Sequence, residues 1–176
     1  MMRSPAIVLM FAAALFAQAP ASPYADLKRV YGMVKDNLEK LAGQMSEEGY
    51  KFSPTPDMRS FAALIAHIAD TQALFCSGVQ GIRPPATASS KTSKADLIAA
   101  LKNSSSICDA AFDWLTPANA GLPGPGGPVR MTNLGTLVYI TGHSYITGHS
   151  NEEYGYAAVY LRLKGIVPPS SAPQGR

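Results

Sequence analysis

The chain has 176 residues, 47% of them hydrophobic and 15% charged, with a formal net charge of +3 at pH 7. Its lysines and arginines are scattered rather than clustered, which removes any electrostatic footprint for nucleic acid. The length suits one domain around one core.

Residues 1–21 read as a targeting segment and not as part of the fold. Arg3 supplies a short positive start, Ala6 to Ala17 an apolar run too short to span a bilayer, and Ala19-Pro20-Ala21 a small-x-small cleavage site. No cysteine follows the apolar run, so a lipid-anchored form is not expected. The expectation is an exported protein, periplasmic or secreted, whose domain occupies residues 22–176 and which keeps no stable membrane anchor after cleavage. The alternative is an N-terminal helix retained as an anchor. In an exported chain Cys76 and Cys108 are expected to pair, closing a loop worth about 3–4 kcal/mol in the chain-entropy model. Two buried thiols are the alternative.

A first helix is predicted from Tyr24, because Leu27, Val30, Tyr31, Val34, Leu38 and Leu41 recur at three- and four-residue steps. Residues 46–57 form a connection whose Tyr50 and Phe52 can seal one end of a core. A second helix is expected to open near Asp57 as N-cap. Its core stripe is Phe61, Leu64, Ile65, Ile68, Gln72 and Phe75, and His67 lies beside that stripe. A lone histidine there reads as a hydrogen-bonded core-edge residue until a second histidine is brought to it. Ser93 and Asp96 resemble a capping box ahead of a third helix, which carries Leu97, Ile98, Leu101, Ile107, Cys108, Ala111, Phe112 and Leu115. Serines 104–106 interrupt its apolar face. Gly121 to Pro128 invites a phosphate-loop reading that fails, since three prolines remove N–H donors and no Gly-Lys-Ser/Thr follows.

The last helix is predicted to run from Thr132 or Asn133 to Lys164, with Gly165 and Pro168 stopping it. Its stripe at 149, 153, 156, 160 and 163 reads His149, Glu153, Tyr156, Tyr160 and Leu163. A carboxylate on that stripe has to be paired, protonated or bound to a cation if buried. The segment also repeats itself, with Thr-Gly-His-Ser at 141–144 and again at 147–150. On one continuous helix His143 and His149 would point about 120° apart. Glycines 135, 142, 148 and 155 along it suggest either close helix approach or a local bulge. Four amphipathic segments without a strand pattern make an all-α helical bundle the expected fold.

Two stretches carry a family resemblance. The run Tyr50-x-Phe52-x-Pro54-x-Pro56-x-Met58-Arg59-Ser60-Phe61, leading to His67-Ile68-Ala69, resembles the start of the second helix in the DinB-like superfamily. The tail from Gly148 to Gly155, followed by Tyr160-Leu161-Arg162-Leu163-Lys164-Gly165, resembles the last helix of its exported bacterial members. The resemblance implies a four-helix bundle that holds a divalent metal (zinc, nickel or iron) with three histidines, one from the second helix and two, four apart, from the last. It implies a metal-dependent thiol transferase or hydrolase with a small-molecule substrate, and dimers are common among its members.

Carried over, the ligands are His67 and His149, while the third family histidine falls at Glu153. Two histidines and a carboxylate still make a legitimate metal set. The alternative is a degenerate site without metal, in a non-catalytic small-ligand-binding or structural bundle. The repeat is a second departure, since members carry one copy of Gly-His-Ser. His149 is the preferred ligand, with His143 held in reserve. Tyr145 and Glu152 lie close in sequence, without an assignable role in proton transfer.

Overall fold

The computed structural model describes residues 23–125, 130–143 and 146–173. The expected targeting segment at residues 1–21, part of the glycine- and proline-rich connection, and Tyr145 lie outside the described residues. Among the described residues there are five α-helices: α1 (Pro23–Gln44), α2 (Phe61–Val79), α3 (Lys94–Trp114), α4 (Asn133–Thr141) and α5 (His149–Leu163). Helices α1 and α2 each pack against α3 on one side and against α4 and α5 on the other. The short α4 and α5 therefore share one position, and the architecture is a four-helix bundle whose fourth helix is broken.

That break corrects the expectation of one continuous last helix. Residues Gly142–His143 and Ile146–Thr147 form a minimal antiparallel ladder, with Gly142 opposite Thr147 and His143 opposite Ile146. The ladder thus interrupts the helix within the repeated segment. The wheel angle between His143 and His149 has no meaning here, because they are not on one helix. Gly142 turns the chain out of α4 at φ 79°, a conformation that disfavours residues with a Cβ. Gly148 brings the chain back so closely that a Cβ on it would overlap the backbone of Thr141 and Gly142. Close approach along the glycine row is thus confined to the seam between Gly148 and the end of α4, whereas a Cβ on Gly155 would meet open space.

The N-cap of α2 is also corrected. Ser60, not Asp57, accepts a hydrogen bond from the Ala63 N–H, at 3.2 Å, whereas Asp57 accepts only from the Thr55 hydroxyl. Ser93 caps α3 by accepting from the Asp96 N–H at 3.0 Å. On α5 the predicted stripe is only half right: Tyr160 and Glu153 are buried, while Tyr156 and Leu163 face solvent. Ala157, Ala158 and Leu161 take the core-facing places instead.

Helix α2 is apolar enough to cross a membrane by length and composition, yet more than half of it is buried in the bundle, where it packs against α3, α4 and α5. Tyr50 and Phe52 seal the end of the core as expected, with the Tyr50 ring edge-on to Phe61 at 5.0 Å and Phe52 edge-on to Tyr160 at 6.1 Å. At the other end a Cys76–Cys108 disulfide staples α2 to α3.

The core is divided in two along the bundle axis. One half holds Leu38, Phe61, Ile65, Leu97, Leu101 and Leu161, the other Leu27, Tyr31, Phe112, Leu137 and Ile140. Between them lies a polar layer. Gln72 on α2 donates to the Ser150 hydroxyl on α5 at 3.1 Å, and its amide oxygen accepts from Ser104 on α3 at 3.0 Å. All three are buried. Because unmade bonds in this setting cost about 1–3 kcal/mol each, the layer fixes the axial register of α2, α3 and α5. It also accounts for Ser104, the first of the serines that interrupt α3.

Candidate metal centre

The site sits beside that polar layer, where the fourth helix resumes. His67 projects from the middle of α2, five residues before Gln72, and His149 opens α5 next to Ser150. Glu153 follows one turn later on the same face of α5. The register set by Gln72 and Ser150 is therefore the register that faces His67 towards His149.

The three side chains meet. His67 Nε2 and His149 Nε2 are 3.2 Å apart. Glu153 Oε1 lies 3.6 Å from the first and 3.7 Å from the second. Donor atoms at the ordinary zinc distances and a tetrahedral angle stand about 3.3–3.5 Å from one another, so the observed triangle has the size a single small cation requires. Exposure falls inward, from 33% for the His67 side chain to 10% for His149 and 8% for Glu153.

Two buried atoms at the site have no protein partner among the described residues, Glu153 Oε2 and His149 Nδ1. The carboxylate is also too far from either imidazole for a proper hydrogen bond. A buried carboxylate without donors is an unfavourable arrangement that a cation relieves. The donor set, the spacing and the orphaned carboxylate oxygen all fit a divalent metal.

Electrostatics favour the ligand-competent form of the histidine. Burial, with a smaller contribution from His67, pushes His149 down to about 4, so its imidazole is neutral through the physiological range. Burial pushes Glu153 the other way, raising it above the usual carboxylate value, with His67 and then Arg59 pulling it partly back. A divalent cation would reverse this effect on the carboxylate, because it favours the charged form.

Of the other candidates, the backbone of His143 stands in the hairpin and its side chain lies outside the described residues. Glu152 faces solvent and accepts a hydrogen bond from the Tyr156 hydroxyl at 3.0 Å. The sequence reading placed Gln72 on an apolar stripe and so missed its part in aligning the site. Its polar identity on that stripe, with Ser104 on α3, was the available signal. Arg59 was quoted only as part of a motif. Its carbonyl accepts from the buried Tyr160 hydroxyl at 2.8 Å, which ties the approach to α2 directly onto α5.

No curated protein matches the chain. The family model described as the DinB superfamily matches residues 32–146. The matched stretch contains α2 with His67 and most of the bundle, and it ends before α5, so His149 and Glu153 rest on geometry alone. Covering more than half of the sequence, and agreeing with the all-α bundle, this match shows that the chain belongs to the DinB superfamily.

Proposed function

We propose that this is an exported metal-dependent protein that uses His67, His149 and Glu153 as its metal ligands to act on a small molecule, as a thiol transferase or hydrolase. One observation carries the reading: three donor atoms from α2 and α5 converge at 3.2–3.7 Å, and Oε2 of the buried carboxylate among them has no hydrogen-bond partner among the described residues. Zinc, nickel or iron(II) suits two imidazoles and a carboxylate. When bound, such a metal polarises a substrate or lowers the pKa of a bound water or thiol.

The chain's own residues do the rest. Burial keeps His149 unprotonated, so metal does not have to displace a proton from it near neutral pH. Gln72 and Ser150 hold the two helices in register. The Cys76–Cys108 disulfide is compatible with the oxidising compartment that export implies. Export predicts a mature N-terminus at Ser22, which N-terminal sequencing of the extracytoplasmic fraction checks.

A second reading is a non-catalytic small-ligand-binding or structural bundle with a degenerate site. It is favoured by the unpartnered His149 Nδ1, since metal-binding histidines ordinarily donate from the second nitrogen. Metal analysis of the exported protein, followed by calorimetric titration with zinc, nickel and iron(II), decides between the two. The wild type and Glu153→His are expected to bind, His149→Ala and Glu153→Ala to bind far more weakly, and His143→Ala to match the wild type. Binding by Glu153→His alone establishes the degenerate reading. Loss of binding in His143→Ala with retention in His149→Ala assigns the ligand to the other copy of the repeat.

A further inference from the structure

A groove of about 1010 Å³ runs alongside α2 and reaches His67. Its wall is built by the turn Glu48–Lys51, the first turns of α2, and the loop leading into α3. His67 is the one member of the ligand triad that lines it, and it is also the most exposed of the three. A molecule approaching the triad from the groove therefore passes His67.

The charges along this groove are not balanced locally. Lys51, Arg59, Lys91 and Lys94 line it together with Glu47, Glu48 and Asp70. Asp70 is already engaged, accepting the N–H groups of Ala88 at 2.5 Å and Ser89 at 3.2 Å. Lys94 is partly engaged, donating to the Gly43 carbonyl at 3.1 Å and lying over the Tyr50 ring. Among the described residues no carboxylate comes within ion-pairing distance of Arg59. Arg59 is exposed and lines the same groove as His67, the triad member that the groove reaches.

We propose that the groove takes a small carboxylate-bearing substrate whose acid group pairs with Arg59 while its reactive end reaches the metal held by His67, His149 and Glu153. The proposal rests on the metal reading above and narrows it to one chemical class. A planar guanidinium meets a carboxylate with two parallel N–H donors, a match that lysine cannot reproduce. Arg59 is then a specificity-determining residue, placed so that the anion and the metal are addressed by one molecule.

Cobalt(II)-loaded protein titrated with mercaptobutyrate and with the uncharged mercaptobutanol tests this, with thiolate ligation read from the visible absorption. The wild type should prefer the acid by about tenfold, the value of one modest charge-assisted pair. Arg59→Gln should erase that preference while still taking up cobalt and binding mercaptobutanol, Arg59→Lys should keep part of it, and Lys40→Gln, outside the groove, should keep all of it. An undiminished preference in Arg59→Gln, or none in the wild type, overturns the proposal while leaving the metal reading standing. Should the wild type take up no cobalt, the metal reading falls, and the carboxylate site is judged on metal-free protein by amide chemical shifts. There mercaptobutyrate must move the signals of Arg59, Ser60 and His67 in the wild type and leave those of Ser60 and His67 still in Arg59→Gln. Failure of that shift overturns the anion site too.

Discussion

Replacing Glu153 by leucine should make the metal-free protein more stable and the metal-loaded protein less so. The residue is 6% exposed, its Oε2 has no partner, and its Oε1 is 3.6 and 3.7 Å from the two imidazoles, outside hydrogen-bond range. Leucine of similar size thus removes an unsatisfied buried group and little else. Such a group costs about 1–3 kcal/mol, and at roughly 2–4 °C per kcal/mol for a domain of this size the metal-free Tm should rise by roughly 2–12 °C. In the wild type, zinc at a hundredfold excess over Kd should add about 2.7 kcal/mol, or roughly 5–11 °C. The leucine variant should lose that gain. Differential scanning calorimetry of both proteins, after chelation and again with zinc, reads all four values. A metal-free leucine variant less stable than the wild type would refute the reasoning, because it would mean that the carboxylate is already satisfied by protein groups.

The pH dependence of metal-free stability should show two opposed contributions. His149, held at about 4 against an ordinary 6.5, binds fewer protons folded than unfolded, so its contribution falls as pH drops from 6.5 towards 4, by up to about 3 kcal/mol. Glu153, raised above 4.5, binds more protons folded than unfolded, so its contribution falls as pH rises from 4.5 through its folded value. Urea midpoints should therefore decline more steeply on acidification in Glu153→Leu than in the wild type, and equal slopes would count against the assignment. Changing both Cys76 and Cys108 to serine should cost about 3–4 kcal/mol by loop closure, while the wild type isolated from an oxidising compartment should show no alkylatable thiol by mass spectrometry. Gly148→Ala should destabilise the fold by about 1–3 kcal/mol and weaken zinc binding, since opening the Thr141–Gly142 seam displaces His149. Gly155→Ala, which meets open space on α5, should instead stabilise by about 0.4–1 kcal/mol. Thermal melts that rank the two alanine variants the other way would remove the seam as a constraint.

Local pattern was enough for everything that depends on neighbours along the chain. The three- and four-residue recurrence of Leu27 to Leu41 and of Phe61 to Gln72 marked α1 and α2, and Ser93 with Asp96 marked the start of α3, because periodicity and capping act within a few residues. The all-α class followed from those patterns, and the helical spacing of His149 and Glu153 put both on one face of α5. The path of the repeat was not legible. Extending a helix by six residues and looping six residues out are both permitted by the same local sequence, and the choice falls to packing: α4 and α5 must both lie against α1 and α2. Ser60 displaced Asp57 as the N-cap because the Phe61 N–H is bonded to the Phe52 carbonyl at 2.9 Å, a contact made across the connection that fixes where α2 begins. The meeting of His67 with His149 and Glu153, from residues 82 apart in the chain for the two histidines, depends on a buried glutamine bonded to serines of two other helices. Those bonds join side chains remote in sequence, and only the folded bundle brings them within reach.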